Sequence, residues 1–512
     1  MGLAFPHGHI VVLTIPAWGH VKAACALITK IVRLGQVYVT IFCANHLYER
    51  AIKEIAEQFI PDEENELKDL TRVVGIDTPL LPDKLDQLAE SFIDEYRRLC
   101  AGEAVKASCV SEHYHNAVIP PQLVILDIFL YEAFQRIKEE QSSEIPIYVL
   151  QSVSAAALLF LWGPEHLGGH GDLSKKLEGV IETDEKAKAM EMEKIYRRAH
   201  GNLLRVPGLP DMYDHEFSPQ KSVFDESGFI AEVNKYQHRL FTECDGIIMN
   251  TSSLLEKEAV DAVQKWFAGR PVICPAAFDF PLFPKKPDMS QVAIEVNEFM
   301  DDALKKHGAH SVVYMSFGSV FWPTEPDKIW VAIDAFIERG IPFVYAHASP
   351  FAEIPEEVKK RISASGLGYT SKWLPQIAIL EHKACGWFVT HCGQNSVMEA
   401  ISRGVPLICW PFDADQPVNA VLASYVLGIG YELFEMRSWH GLKPICRLGD
   451  RQPEGTKDAF RCEFKHVLEK AAGEDGKVKR ANAQRLREKV IETWEPDGEA
   501  WGEIKRIIDI LH

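Results

Sequence analysis

The sequence WLPQIAILEHKACGWFVTHCGQNSVMEAISRGVPLICWPFDADQ runs from Trp373 to Gln416 and decides the fold. Within it, the apolar run 386–390 predicts a buried parallel strand, and residues 391–396 predict a polar turn that leads into a helix reaching Ile401. The first turn of such a helix exposes free backbone N–H groups and carries the positive end of the helix dipole. This strand, turn and helix therefore predict a phosphate-binding site.

Side chains around this turn suit the remaining parts of a nucleotide. His391, Asn395 and Ser396 add hydrogen-bond donors to the turn, and Glu399 follows one helical turn later. A carboxylate there can accept hydrogen bonds from both ribose hydroxyls, and the Trp373 indole can stack on a base. The stretch has neither a G-x-G-x-x-G motif nor a Walker lysine. The three residues His-Cys-Gly alone are equally compatible with an ordinary strand-to-helix junction of a doubly wound sheet.

Length and composition limit the class of protein. A chain of 512 residues is too long for one ordinary hydrophobic core and predicts two domains. Its 47% hydrophobic and 25% charged residues are typical of a soluble globular protein. The net charge of −18 argues against a nucleic-acid backbone or an anionic membrane as the main partner.

Cysteine usage and the two ends of the chain give an expectation of location. The 11 cysteines form no C-x-x-C pair and no metal-ligand spacing, so we expect a reducing, cytoplasmic environment and no bound metal. His382 and His391 likewise lack a carboxylate at ligand spacing. The chain passes from Met1 directly into a strand that begins at His9, and no long apolar run is found near its C-terminus. We therefore expect neither a signal peptide nor a transmembrane segment.

The beginning of the chain predicts a second ligand-facing edge. Residues 9–15 form an apolar strand, 16–19 a turn, 20–34 an amphipathic helix and 37–43 the next strand. In such a right-handed parallel unit, ligands bind at the carboxyl ends of the strands. His20 lies at that edge, and Asp127 lies near the end of another apolar strand, 123–129, where it could hold the imidazole. The alternatives are a capping or surface histidine and an aspartate that only caps the following helix.

Spacing over the whole stretch 373–416 resembles the plant-type secondary-product signature of the family 1 UDP-dependent glycosyltransferases. The shared positions are W-x-P-Q, L-x-H, G-x-F-x-T-H-C-G-x-N-S, E, G-V-P, P and D-Q. The turn 16–20 is similar to the family's P-x-x-G-H, residues 127–129 to its D-x-F, and residues 316–319 to its S-F-G-S. The resemblance extends over essentially the whole chain. It implies an α/β protein of the GT-B fold, with two facing Rossmann-like doubly wound domains and a cleft between them.

The resemblance also implies a domain organisation. We predict an N-terminal acceptor-binding domain at 1–275, an interdomain linker at 276–308, a C-terminal UDP-sugar-binding domain at 309–490, and a C-terminal helix at 491–512 that crosses back to the first domain. Residues 163–202 and the VPGLP at 206–210 are similar to the region that helps to wall the acceptor pocket. Residues 436–456 depart from the usual pattern like an insertion, and no function is predicted for them.

The activity implied by the resemblance is an inverting, metal-independent transfer of a sugar from a UDP-sugar to a hydroxyl of a small lipophilic or aromatic acceptor. His20 would be the general base and Asp127 would stabilise its imidazolium. Trp373 would stack on uracil, Gln376 would lie at the uridine and Glu399 at the ribose. The other implied donor-binding residues are Ser152, Ser319, His391, Gly393, Gln394, Asn395, Ser396, Asp415 and Gln416.

Two of these residues are ambiguous at the sequence level. The family usually has Trp where this chain has Gln394, and an amide offers both a donor and an acceptor, so an altered sugar choice is possible. Glucose is the predicted sugar, because Asp415 and Gln416 resemble the pair that binds sugar hydroxyls and a terminal Gln is associated with glucose. Ser152 could equally be a helix cap.

Other functions on the same fold are a catalytically silent UDP-sugar binder or sensor, and a hydrolase or epimerase of nucleotide sugars. The expected partners are a UDP-sugar, as co-substrate with no further cofactor, and a small lipophilic or phenolic acceptor. We expect a monomer. The sequence does not identify the acceptor or the position of the linkage.

Overall fold

A computed structural model describes residues 6, 8–60, 64–78, 85–140, 145–283 and 288–511 of the chain. The strands, in chain order, are β1 His9–Leu13, β2 Tyr38–Ala44, β3 Thr71–Ile76, β4 Val105–Lys106, β5 Tyr114–His115, β6 Leu123–Asp127, β7 Ile147–Gln151, β8 Leu203–Leu204, β9 Met212–Tyr213, β10 Gly246–Met249, β11 Val272–Ile273, β12 Val312–Ser316, β13 Phe343–Ala346, β14 Gly368–Ser371, β15 Cys385–Thr390, β16 Leu407–Cys409 and β17 Gly430–Glu432.

Helices alternate with most of these strands. In chain order they are α1 Trp18–Gly35, α2 Tyr48–Ala56, α3 Asn65–Lys68, α4 Leu85–Cys100, α5 Tyr131–Glu140, α6 Ala155–Trp162, α7 Leu173–Glu178, α8 Glu185–Arg197, α9 Phe229–Val233, α10 Gln237–Glu243, α11 Ser253–Trp266, α12 Gln291–His307, α13 Asp327–Glu338, α14 Glu356–Ser365, α15 Gln376–Glu381, α16 Gln394–Arg403, α17 Gln416–Val421, α18 Lys457–Ala472, α19 Glu474–Thr493 and α20 Glu499–Ile508.

Two parallel sheets organise the chain. The first has the order β11-β10-β7-β6-β1-β2-β3 and the second β14-β13-β12-β15-β16-β17. Along β1, Ile10 and Val12 belong to one hydrophobic core and Val11 and Leu13 to another, so this strand is buried on both faces. The two doubly wound domains of the predicted GT-B fold are confirmed.

Several element boundaries differ from the sequence-based prediction. Helix α1 begins at Trp18, because the His20 amide already donates to the carbonyl of Ala17. Strand β3, at the edge of the first sheet, was not predicted, since Arg72 interrupts a short apolar run. The sequence also predicts a helix at 81–102; it is seen from Leu85 as α4, and residues 79–84 lie outside the described part of the chain. The acidic run 61–66, for which the sequence predicts a solvated loop, is described only from residue 64, and its last two residues belong to the short helix α3.

The predicted linker 276–308 contains helix α12. Ser290 caps this helix by accepting from the Ala293 amide, and Val296 and Met300 are buried. Its residue Glu295 accepts a hydrogen bond from the hydroxyl of Tyr369 in β14, so the helix packs on the second sheet. Residues 284–287 of the linker lie outside the described ranges. The domain boundaries remain predictions.

The last helix lies against the first domain. Ile504, Ile507 and Ile508 of α20 are buried, and a Cβ at Gly35 of α1 would come within 2.9 Å of the Ile508 side chain. The guanidinium of Arg506 also donates to the carbonyl of Val272 in β11, at 3.0 Å. The chain therefore returns to the N-terminal domain after the second sheet is complete. Among the described helices, none combines the length and apolarity needed to span a lipid bilayer.

Residues 436–456 connect the two domains. The buried Arg447 pairs with Glu216 of the first domain at 2.5 Å and with Glu432 of β17 at 2.5 Å. Arg437 donates to the same two residues, to the Glu216 carbonyl at 3.2 Å and to Glu432 at 2.9 Å. The ring of His215 lies 2.7 Å from the carbonyl oxygen of Pro444. This segment, for which the sequence predicted no role, is a strap between the domains.

Candidate active site

His20 and Asp127 meet at the carboxyl edge of the first sheet. Strands β1 and β6 are hydrogen-bonded neighbours, so the first turn of α1 lies beside the last residue of β6. The Nδ1 atom of His20 lies 2.7 Å from Oδ2 of Asp127, and Oδ1 of Asp127 accepts from the amide of Phe129 at 3.3 Å. Asp127 is 2% exposed. The two predicted residues are therefore in direct contact, with the ring held through Nδ1.

Burial and charge act in opposite directions on His20. Burial lowers the pKa of the imidazole, but the carboxylate of Asp127 more than offsets this, and Asp415 adds a further raising effect. The net result is a pKa of His20 above its ordinary value. The Asp127 carboxylate therefore stabilises the protonated form of this ring.

The turn after β15 is built around the ring of His391. Cys392 has a positive φ of 68°, and Gly393 is the N-cap of α16. A Cβ atom at Gly318 would lie 2.8 Å from Nε2 of His391, and one at Gly393 would lie 2.6 Å from it. Glycine is therefore required on both sides of the imidazole. Burial lowers the pKa of His391 to about 4, so the ring is neutral at physiological pH.

Polar groups at the start of α16 reach the facing domain. Asn395 donates to the carbonyl of Gly19 in α1 at 2.9 Å and accepts from the Asn250 amide at 3.3 Å. Ser396 accepts from the side chain of Gln376 at 3.3 Å. The carboxyl edges of the two sheets therefore face each other across one cleft, with the predicted phosphate-binding turn at its centre.

Two predicted serines lie on opposite sides of this cleft. Ser319 is half-buried after β12, beside the Gly318 that packs on His391. Ser152 is half-buried after β7 of the first sheet. The interpretation of Ser152 as a helix cap is wrong, because Ser154 caps α6 by accepting from the Ala157 amide.

The predicted base-stacking residue contacts a cation. The guanidinium of Arg50 lies 4.3 Å from the ring centroid of Trp373 and 3.7 Å from that of Trp18. Trp18 and Arg50 belong to the first domain, whereas Trp373 belongs to the second. Trp373 remains 49% exposed. Burial lowers the pKa of Arg50 to about 10, so the guanidinium is charged at neutral pH.

The predicted ribose-binding carboxylate is also contacted from the first domain. Glu399 accepts from Lys22 at 2.5 Å and from the Gln376 side chain at 2.6 Å. Gln376 is fixed in turn by the hydroxyl of Tyr314, which donates to its Oε1 at 3.0 Å. Burial lowers the pKa of Lys22, but Glu399 and other acidic neighbours more than offset it and raise the pKa above its usual value. Lys22 therefore carries its charge into the cleft.

The predicted sugar-binding pair lies where the loop after β16 enters α17, with Asp415 as the N-cap of that helix and Gln416 as its first residue. Asp415 accepts from the Gln394 amide at 3.0 Å and from the side chain of Asn419 at 2.7 Å. Burial raises the pKa of Asp415 to about 6. Gln416, 1% exposed, accepts at its Oε1 from the amides of Phe412 at 2.8 Å and Asp413 at 3.3 Å. The Gln416 side chain thus shapes the loop, called here the 411–416 loop.

Gln394, the departure from the family pattern, bridges the two domains. Its Nε2 donates to the carbonyl of Asn250 at 2.8 Å, and the residue is 5% exposed. The sequence analysis considered that the Gln394 side chain contacts the sugar and alters the choice of sugar. In this structure the amide contributes to the contact between the domains, and its role toward the sugar stays a prediction.

Sequence reasoning missed three groups at this site, namely Lys22, Arg50 and the Arg197–Asp413 ion pair described below. Lys22 and Glu399 are 377 residues apart, so no local pattern could pair them. The available signal was weak: Lys22 lies close after His20 on the same helix. Within the described ranges, no three His, Cys, Asp or Glu residues are arranged to hold a metal ion.

Two parallel doubly wound sheets whose carboxyl edges meet in one polar cleft define a GT-B protein, in which ligands are expected between the domains. Residues 247–438 match the family model described as UDP-glucoronosyl and UDP-glucosyl transferase. The chain is similar in structure to UGT71G1 of Medicago truncatula complexed with UDP-glucose, with a TM-score of 0.69 at 20% identity over 99% of both chains.

Sequence relatives point to the same family. The chain is 31% identical over 325 residues to UDP-glycosyltransferase eriJ of Hericium erinaceus, which covers 61% of this chain and 63% of the relative. It is 34% identical over 253 residues to solanidine UDP-glucose glucosyltransferase 1 of Solanum tuberosum, covering 44% of this chain and 47% of the relative. The matches thus span less than two thirds of these relatives. The predicted resemblance to the family 1 UDP-glycosyltransferases is confirmed.

Proposed function

We propose that the protein is an inverting glycosyltransferase that moves a sugar from a UDP-sugar to a hydroxyl group of a small lipophilic or aromatic acceptor. The observation that carries this proposal is the contact of 2.7 Å between His20 and Asp127, which faces the His391 turn and Glu399 across one cleft. Glucose is the proposed sugar. The name of the Solanum tuberosum relative and the neighbour complexed with UDP-glucose support this choice.

His20 is the proposed general base. Its Nδ1 is held by Asp127, which leaves Nε2 to take the proton from the acceptor hydroxyl. The acceptor oxygen then attacks the anomeric carbon on the face opposite to UDP. The bond from that carbon to the phosphate oxygen breaks, UDP leaves with the electron pair, and the configuration inverts. Asp127 stabilises the imidazolium that forms.

Groups around the His391 turn are proposed to receive the diphosphate. The N-terminus of α16 supplies backbone N–H groups, and Ser319, His391, Asn395 and Ser396 supply side-chain donors. Fixed donors of this kind can stabilise the charge of the leaving group without a metal ion. We therefore expect turnover to be unaffected by a chelator such as EDTA.

The nucleoside and the sugar are proposed to bind on either side of that turn. Uracil would stack on Trp373, and the ribose hydroxyls would donate to Glu399. The sugar would lie at Asp415 and Gln416. Because all eleven cysteines are free thiols, we also propose a reducing compartment, the cytoplasm, as the location.

Incubation of the protein with UDP-glucose, UDP-xylose or UDP-galactose and a mixture of phenols, sterols and alcohols tests this function. We expect acceptor products heavier by one sugar residue, with UDP released only when an acceptor is present. Free sugar without acceptor would identify a hydrolase, and an isomerised nucleotide sugar would identify an epimerase. Binding of UDP-glucose without any product would identify a silent binder.

A matched pair of variants tests the assignment of the base. His20→Ala should lose turnover by about 10²–10⁴, the usual contribution of a general base. His382 also lies beside an aspartate, Asp301 at 3.3 Å, but this pair is away from the facing edges of the two sheets. His382→Ala should therefore retain turnover. Equal activity of the two variants would overturn the assignment.

A further inference from the structure

The 411–416 loop is held by a residue of the other domain. Arg197, the last residue of α8, is 5% exposed. Its guanidinium makes a two-pronged contact with Asp413, with Nη1 to Oδ1 at 2.6 Å and Nη2 to Oδ2 at 2.9 Å. This bidentate geometry fixes both the distance and the orientation of a carboxylate. The loop is therefore anchored from the first domain.

The same guanidinium is surrounded by acidic groups. It also pairs with Glu193 at 2.7 Å and with Asp225, and the side chains of all four residues are at most 6% exposed. One cation thus serves three buried carboxyl groups. Burial raises the pKa of Glu193 to about 7, which lets this group shed part of the excess negative charge by holding a proton. Removing Arg197 would leave these acidic groups buried without a cation.

Two further contacts carry the position of Arg197 into the sugar-binding pair. The backbone amide of Asp413 donates a hydrogen bond to Oε1 of Gln416. The partner of Arg197 is thus in direct contact with the side chain that is proposed to bind the sugar. At the start of the loop, Gln220 of the first domain donates to the carbonyl of Pro411 at 2.9 Å. The loop is thus fixed from the first domain at both Pro411 and Asp413.

We propose that Arg197 is a positioning residue for the donor sugar: through Asp413 it sets the 411–416 loop, and with it Asp415 and Gln416. This inference rests on the proposed function. Helix α8 belongs to the region similar to the acceptor wall, so the choice of sugar depends on residues of the acceptor domain as well as on the signature block. Arg197 acts through the loop and does not itself touch the reacting atoms.

A second buried arginine provides a matched control. Arg447 is also a cation that joins the domains, with side-chain exposure of 4% and partners Glu216 and Glu432 that are 0% and 3% exposed. It belongs to the strap, and its ion-pair partners lie outside the 411–416 loop. Loss of either arginine therefore destabilises the domain contact, but only loss of Arg197 is expected to disturb the sugar.

The experiment compares Arg197→Gln and Arg447→Gln in the full chain. Calorimetry gives the affinities for UDP and for UDP-glucose, and steady-state kinetics give KM and kcat with UDP-glucose and UDP-xylose, which differ by the hydroxymethyl group. We expect Arg197→Gln to raise the KM for UDP-glucose by about tenfold and to reduce the preference for UDP-glucose over UDP-xylose by several-fold, because the loop loses its orientation. Its affinity for UDP alone should not change.

Both variants should lower the melting temperature, whereas Arg447→Gln should keep the wild-type sugar preference. Arg197→Lys keeps the charge and loses the two-pronged geometry. Its KM for UDP-glucose should lie between those of the wild type and Arg197→Gln. Gln220→Ala is a milder test of the same loop, should the Arg197 variants fail to fold, and should shift the preference in the same direction by a smaller factor.

Three outcomes would overturn the inference. These are parallel shifts of UDP and UDP-glucose affinity in Arg197→Gln, an equal change of sugar preference in Arg447→Gln, and an unchanged preference in both Arg197→Gln and Gln220→Ala. Failure of the proposed function itself looks different, because the wild-type protein would then neither bind UDP nor transfer a sugar.

Discussion

At the β14 side of the second sheet, the cleft is spanned by Arg50 between Trp18 and Trp373, with Trp373 49% exposed. At the β16 side it is spanned by Arg197, which is 5% exposed and shares three acidic partners. Arg50 covers Trp373, which is proposed to stack on uracil. Lys22 likewise pairs with Glu399, which is proposed to bind the ribose. A nucleotide that binds there must therefore displace Arg50 from Trp373 and Lys22 from Glu399. The buried ion network of Arg197 at the sugar end can stay intact.

The reacting residue lies between these two ends, and its loss should have the largest effect. In His20→Ala, kcat should fall by about 10²–10⁴ while the affinities for UDP and UDP-glucose stay at wild-type values. Calorimetry alongside single-turnover kinetics separates the two quantities. A large loss of UDP affinity in this variant would mean that the dyad also holds the nucleoside end in place.

The two ends should differ sharply in their contribution to stability. Arg197→Gln leaves Glu193, Asp225 and Asp413 buried without this cation and should cost about 3–5 kcal/mol of unfolding free energy. Arg50→Ala removes a half-buried stacking contact and should cost about 1–2 kcal/mol at most. Urea denaturation measures both. A larger loss in Arg50→Ala would contradict the distinction between an exchangeable end and a fixed end.

The pH profile should change when the dyad is separated. His20 is active as a base when neutral, so kcat/KM should rise with pH through its raised pKa. In Asp127→Asn the raising effect of Asp127 on the pKa of His20 is lost, while burial and the smaller raising effect of Asp415 remain, so the midpoint should move to lower pH. Measurements of kcat/KM from pH 5 to 9 (a range of about two units on either side of neutrality) give the midpoint. His382→Ala, with its aspartate neighbour outside the facing edges, should keep the wild-type profile.

The smallest expected effect is a gain in nucleotide affinity at the nucleoside end. Lys22→Ala frees Glu399 and Arg50→Ala frees the face of Trp373, so each should tighten UDP binding by about two- to tenfold. Lys53→Ala, at a lysine whose side chain is 68% exposed on the same domain, is the control and should leave UDP affinity unchanged. Weaker UDP binding in both cleft variants would show instead that Lys22 and Arg50 support the nucleotide.

Much of the fold and of the central dyad could be predicted because their signals are local. Apolar runs define the strands, and a parallel sheet places the carboxyl ends of all its strands at one edge, which brings His20 and Asp127 together. The pairs that close the cleft have no local signal: Arg197 and Asp413 are 216 residues apart, and Lys22 and Glu399 are 377 apart. Long ionic side chains can pair with any acidic group that the tertiary structure brings near, so sequence spacing alone does not select the partner.

The strap limits how far the two domains can be treated as interchangeable modules. A hybrid made by joining the first domain of this chain to the second domain of a relative at the 276–308 linker would lose Arg437 and Arg447 but keep Glu216. The buried carboxylate of Glu216 would then lack the arginine that pairs with it in this chain. Glu216 and residues 436–456 therefore have to come from the same protein. An exchange of domains that aims at a new acceptor would have to transfer both sides of this contact together.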